Sequence, residues 1–143
     1  MKALVPCTFA VLFSLSIALH AEDPKPTAPA APAAKEHAIQ NVSPDEASKL
    51  IQDKKDLVIL DVRTPGEFAS GHIAGAQNLD FKSPDFAEKV AALDPAKAYL
   101  VHCASGYRSG KTIELMEKGK FSEVYHMKAG FVGWEAAGKP VAK

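Results

Sequence analysis

The sequence predicts an α/β domain built on a mainly parallel sheet. Two observations carry that reading. First, short continuous apolar runs, "LVILDV" at 57–62 and "AYLVHC" at 98–103, are flanked by segments of helical character. Strands covered on both faces read as unbroken apolar runs, not as alternating ones. Second, strand-like and helix-like segments take turns along the chain, which is the signature of a parallel sheet.

The first residues stand outside that pattern. "MKALVPCTFAVLFSLSIALHA", residues 1–21, has Lys2, then an apolar middle, then small residues at Ser16, Ala18 and Ala21. This is the order of an export signal, with cleavage after Ala18 or Ala21. The rival reading is an uncleaved anchor, because the apolar run approaches the roughly 20 residues that a span needs. Pro6 and the polar Cys7, Thr8, Ser14 and Ser16 weaken it as a span. Residues 22–38, "EDPKPTAPAAPAAKEHA", are rich in Pro and Ala and poor in large apolar side chains, a linker composition that cannot build a core. The domain is therefore expected over residues 39–143, long enough for one core.

Within it each element has its own signal. "SPDEASKLIQ" reads as a helix with Ser43 as N-cap, Pro44 first and Glu46 closing a capping box. "LVILDV" is a buried strand. "PGEFASG" is a short helix stopped by Gly71. "AQNLD" is a brief strand. "SPDFAEKVAAL" repeats the Ser-Pro start, with Ser83 as cap and Pro84 first. "AYLVHC" is a second buried strand, and "RSGKTIELMEKG" a helix from Arg108 closed by Gly119. "SEVYHM" is a third buried strand and "GFVGWEAAG" a last short helix.

Charge and cysteine usage narrow the function. The full chain has 17 basic and 17 acidic residues. Loss of residues 1–21 removes only Lys2, leaving a net charge near −1. Such a balance gives no reason to expect nucleic acid or an anionic membrane surface as partner. Signal removal also leaves Cys103 as the only cysteine. An unpaired cysteine in an exported protein is either intermolecular or a free reactive thiol. A cysteine-based structural zinc site needs several ligands at close spacing, and these are absent.

Cys103 ends a predicted strand and leads through "ASGY" into a helix. Parallel sheets hold their ligands at such carboxyl ends. A thiol must ionise to attack, and its ordinary pKa is about 8.5. Inward N–H groups of a tight loop, the following helix N-terminus and the charge of Arg108 all favour the thiolate. Gly106 eases the turn, and Ser105 and Ser109 can donate hydroxyl hydrogen bonds. The bland alternative is a small buried hydrophobe.

Three segments then carry a family resemblance. They are "LDVRTPGEFASGHIAGAQNL" (60–79), "VHCASGYRS" (101–109) and "AGFVGWEAAGKPV" (129–141). In that order and spacing they resemble the signatures of a single-domain rhodanese, a thiosulfate-type sulfurtransferase. The resemblance implies a small, mainly parallel five-stranded sheet flanked by helices. It implies Cys103 as the nucleophile that becomes a persulfide. Ala104, Ser105, Gly106, Tyr107, Arg108 and Ser109 would form the loop that holds the sulfur. The partners it implies are a small sulfur donor, such as thiosulfate, and a thiol or cyanide acceptor. No metal or organic cofactor is expected. Ala104 and Ser105 stand where some thiosulfate-using relatives carry basic residues, so the natural donor stays open.

Other residues are read more plainly. Asp61 and Arg63 end a strand near the same edge as Cys103. They are expected either to support the site, with Asp61 orienting Arg108 or Arg63, or to pin loops as an ion pair. Glu67 and His72 are read as structural, Trp134 as core or pocket wall, and Lys111 as a solvated surface lysine. The side chain of His102 should point to the sheet face opposite Cys103.

Two other functions compete. Cysteine phosphatases and arsenate reductases use a similar thiolate loop ending in arginine, but with five residues between Cys and Arg where this chain has four. A non-catalytic persulfide carrier, or an interaction module for a partner sulfur-transfer protein, is the alternative that keeps the same cysteine. An export signal places the mature domain in the periplasm, without stable membrane contact once the signal is cut. An uncleaved signal would tether it to the membrane.

Overall fold

In the computed structural model five parallel strands form one sheet in the order β1-β5-β4-β2-β3. They are β1 (Ala38–Asn41), β2 (Val58–Asp61), β3 (Gln77–Asn78), β4 (Ala98–His102) and β5 (Glu123–His126). The helices are α1 (Pro44–Asp53), α2 (Pro65–Ser70), α3 (Phe86–Ala91), α4 (Tyr107–Lys118) and α5 (Gly130–Ala136). One helix sits in every strand-to-strand connection, which gives the chain the length to cross over and return parallel. The structure describes residues 38–143. The expected export signal, with Cys7, and all of the expected linker except Ala38 lie outside the described residues. Among the described residues no helix is long and apolar enough to cross a membrane.

Strand alternation sorts the apolar side chains into two cores. Leu60, Tyr99, Val101 and Val124 pack with Phe86 and Val90 of α3 and Ile113 and Met116 of α4. Ile59, Leu100 and Tyr125 pack on the other face with Ala47 of α1 and Phe131 and Trp134 of α5. Burying one such side chain contributes about 1.5–3 kcal/mol, so both faces are needed to hold a sheet this small. β4 lies between β2 and β5, with Val101 beside Leu60 and His126. Cys103 follows β4 directly and belongs to the α3/α4 core.

The helix starts follow the local chemistry. At α1, Ser43 accepts from the Glu46 N–H and the Glu46 carboxylate accepts from the Ser43 N–H. The same reciprocal box joins Thr64 and Glu67 at α2.

Three details differ from the sequence reading. The helix in "SPDFAEKVAAL" does not begin at Ser83-Pro84; its N-cap is Asp85 and it starts at Phe86. The Ser83 hydroxyl bonds the Asp85 carboxylate instead, and the Phe86 N–H donates to the Ser83 carbonyl as a turn. Phe86 is thereby carried inward, edge-on to Phe81. α4 begins one residue early, at Tyr107. β1 has no counterpart among the strands read from the sequence. It is four residues long, half polar, and gains its identity from pairing with β5.

Candidate active site

The chain leaves β4 at Cys103 and turns back on itself within three residues to open α4. Gly106 makes that turn as the α4 N-cap, at φ +94°. A side chain there would be strained, and its Cβ would also meet the Lys128 carbonyl oxygen at 2.3 Å. The Gly106 N–H donates to Cys103 Sγ at 3.1 Å. The Ser109 hydroxyl lies 3.5 Å from the same sulfur. Backbone N–H groups of Ser109 and Ser105 add to the set.

Cys103 is only 1% exposed. Burial pushes its thiol pKa up, yet the hydrogen bonds from Ser109, Ser105 and Gly106 outweigh it, and the thiol sits below its ordinary value. The N-terminus of α4 faces the same atom and adds the positive end of its dipole. The loop thus favours the anionic form of one sulfur.

The loop is clasped from behind. The Phe131 N–H donates to the Cys103 carbonyl at 2.7 Å, and the Val132 N–H to the Ala104 carbonyl at 3.1 Å. Holding these carbonyls outward keeps the neighbouring amides turned in. Gly130, at φ +64°, brings α5 this close; a Cβ there would lie 2.3 Å from the Ala104 oxygen.

Arg108 does not rest on Asp61. Its two terminal nitrogens bond Glu67 at 2.8 and 2.7 Å. Arg108 holds the Glu67 carboxyl far below the usual carboxylate range, and Thr64 assists. The Arg108 pKa rises, chiefly through Glu67 and to a smaller degree through Cys103. Tyr107 stands 75% exposed.

Asp61 and Arg63 form their own buried pair, with the guanidinium on both carboxylate oxygens at 2.6–3.0 Å. Arg63 also donates to the Gly71 carbonyl and lies 3.9 Å over the Phe131 ring. Of the partners the sequence allowed for Asp61, Arg63 is the one it holds, not Arg108. The pair ties β2 to the end of α2 and to α5, and so holds the clasp helix. His102 stacks on Phe131 with its Nε2 3.8 Å from Asp61, on the face away from Cys103. Its pKa is lowered, first by burial.

His72 stacks on Phe68 and bridges Ala142 through the backbone. Trp134 is buried and donates to the Pro140 carbonyl. Lys111 pairs with Glu114 at the surface. Among the described residues no group of three or more His, Cys, Asp or Glu is placed to hold a metal ion.

Two residues of this site escape a reading of the sequence. Glu67 reads as structural there, because nothing in "PGEF" shows its partner forty-one residues on. His126 does not stand out at all. It ends β5 on the same sheet face as Val124, and its Nε2 lies 2.9 Å from Ser109 Oγ. A polar residue at the carboxyl end of a buried strand is the signal that could have found it.

A parallel sheet with a cysteine loop between its central strand and the next helix defines a small class of α/β proteins, and comparison with known proteins resolves it. Residues 43–137 match the rhodanese-like domain family. The chain is 41% identical to the thiosulfate sulfurtransferase GlpE of Stutzerimonas stutzeri, over 54% of this chain and 69% of that one. It is 34% identical to the GlpE protein of Pseudoalteromonas translucida, over 70% of this chain and 92% of that one. A rhodanese-related protein from Thermoplasma volcanium superposes with a TM-score of 0.63 at 28% identity, covering 72% of this chain and 97% of that one. The chain therefore belongs to the rhodanese-like domain family and is a sulfurtransferase in the general sense its relatives share.

Proposed function

We propose that the protein transfers a sulfane sulfur through a persulfide on Cys103. The observation that supports this most is the convergence of the Gly106 N–H, the Ser109 hydroxyl and two further amides on one sulfur atom. In the first step the Cys103 thiolate attacks the outer sulfur of thiosulfate or a similar donor. The new Cys–S bond forms as the donor's S–S bond breaks, and the electron pair leaves with sulfite. The negative charge now rests on the outer persulfide sulfur. In the second step cyanide or a thiolate attacks that sulfur, and the bond electrons return to Cys103. One hard transfer becomes two easier ones, and no oxidant is consumed.

The length of the loop supports this reading over phosphate chemistry. Only Ala104, Ser105, Gly106 and Tyr107 separate Cys103 from Arg108, a loop tight around one sulfur atom that leaves little room for a tetrahedral phosphate. The test is direct. The protein is incubated with thiosulfate plus cyanide, and separately with an aryl phosphate. Thiocyanate without phosphate release is the expected result, and phosphate release without thiocyanate would overturn it. Mass spectrometry separates an enzyme from a carrier: one added sulfur on Cys103 from thiosulfate alone marks the enzyme, and none without a partner protein marks a carrier.

We also propose that the domain works outside the cytoplasm, in the periplasm. The charge, apolar and small-residue order of residues 1–21 supports it. A mature N-terminus beginning after Ala18 or Ala21 in the periplasmic fraction is the expected finding. A full-length chain confined to the cytoplasm would refute it.

A further inference from the structure

The Ser109 hydroxyl has one proton and three acceptors within reach. Cys103 Sγ is 3.5 Å away, the Gly106 carbonyl 3.1 Å, and His126 Nε2 2.9 Å. The Gly106 carbonyl already accepts the Gly110 N–H at 2.9 Å. Which acceptor receives the proton decides what the sulfur sees. If His126 Nε2 presents its lone pair, the shortest contact takes the proton, and the sulfur faces hydroxyl oxygen. If Nε2 carries hydrogen, the hydroxyl oxygen accepts from it and its own proton is free for the sulfur.

The surroundings of the ring select the second arrangement. Ser109 is fully buried and His126 nearly so, so no solvent rearranges the pair. The Gly106 carbonyl already holds the Gly110 N–H, whereas an ionised Cys103 sulfur can only accept, so the Ser109 proton goes to Sγ and its oxygen is left to accept from the ring nitrogen 2.9 Å away. Burial and Lys128 hold His126 below its ordinary pKa, which leaves the neutral ring one N–H to place. An anionic sulfur at the end of the chain draws the Ser109 proton further, because a hydrogen bond to a charged acceptor is roughly twice as strong as a neutral one.

We infer that His126 is a positioning residue for Cys103, donating Nε2–H to Ser109 Oγ and so committing the Ser109 hydroxyl proton to Cys103 Sγ. The inference rests on the proposed thiolate chemistry for its use but not for its test. The tautomer is assigned from the hydrogen-bond network. The other charged groups facing this corner are Arg108 of α4, paired with Glu67 of α2, and Lys128 after β5. The substitutions below leave all three in place.

The readout is ionisation of Cys103, followed by thiolate absorbance and by iodoacetamide alkylation against pH in the whole protein. His126→Leu and Ser109→Ala should each slow alkylation at pH 7 by about tenfold, the scale of one hydrogen bond to a charged group. The double variant should be no slower than either single one, because the two residues act as a unit. His126→Gln, whose amide can still donate to Ser109, should keep the wild-type midpoint. Should the leucine variant not fold, His126→Asn, with its shorter amide, replaces it in the cycle. An unchanged or faster rate in His126→Leu would overturn the inference, as would additive losses in the double variant. Since alkylation needs no sulfur donor, a wild-type protein that fails to transfer sulfur would refute the proposed function and leave this comparison intact.

Discussion

Glu67 and Arg108 meet through two hydrogen bonds, 2.7 and 2.8 Å long, that join α2 to the active-site loop across forty-one residues of sequence. The same Glu67 carboxylate also caps α2 through Thr64. One side chain therefore sets both the start of a helix and the orientation of the loop arginine. The pair is part-exposed, so its direct worth to stability is about 0–1 kcal/mol. Its larger effect is on geometry. Glu67→Gln keeps the cap, since Gln serves in a capping box, and should lose under about 1 kcal/mol of stability. Sulfur transfer should fall by about tenfold as Arg108 loosens. Glu67→Ala should lose about 1 kcal/mol more, through the cap. Urea unfolding and steady-state rates check both, and a Gln variant with the wild-type rate would remove Glu67 from the site.

Gly130 and Gly138 both adopt positive φ, +64° and +67°. They differ in what surrounds them. A Cβ on Gly130 would collide with the Ala104 backbone, whereas one on Gly138 would meet open space. Gly138→Ala should therefore cost only the backbone strain, about 1–2 kcal/mol, with no change in rate. Gly130→Ala should cost more than that and should also depress transfer, because the clasp on the Cys103 and Ala104 carbonyls moves. Thermal melts and rates of the two variants, side by side, isolate the clasp. Equal effects on both counts would show that it does not matter.

Cys103→Ser replaces the sulfur with a smaller oxygen that can accept from the same Gly106 and Ser109 donors. Transfer should drop to the background rate, while stability changes by no more than about 1 kcal/mol. Thiocyanate assays and urea unfolding measure the two halves of that statement. Residual transfer above background would end the persulfide mechanism.

The lowered thiol pKa has a stability consequence with a definite sign. A group whose folded-state pKa is depressed contributes stability that is present above its unfolded pKa, about 8.5 for cysteine. That contribution is lost as pH falls through the folded value. The wild-type protein should thus gain stability relative to Cys103→Ser as pH rises from 7 to 9. Urea midpoints of the two proteins at each pH test it, and parallel curves would contradict the hydrogen-bonded thiolate. Iodoacetamide should report a midpoint below that of a free cysteine in the same buffers.

The elements with strong local signals are legible in the amino-acid sequence. "LVILDV" and "AYLVHC" form the adjacent strands β2 and β4, and the Ser43–Glu46 box begins α1. The Ser83-Pro84 signal does not set the start of α3; the helix begins two residues later, at Phe86, whose side chain is buried. β1 is not legible, because four half-polar residues carry little pattern until β5 is there to pair with.

The division has a physical cause. Periodicity, caps and turn glycines act within a few residues, so the sequence alone determined an α/β domain with Cys103 at a strand end and Gly106 turning the loop. The partners of that loop lie far along the chain. Glu67 rather than Asp61 on Arg108, the α5 amides on the Cys103 and Ala104 carbonyls, and His126 on Ser109 all depend on which strands lie side by side. Only the order β1-β5-β4-β2-β3, in which β4 stands between β2 and β5, could bring α2, β5 and α5 to bear on one sulfur.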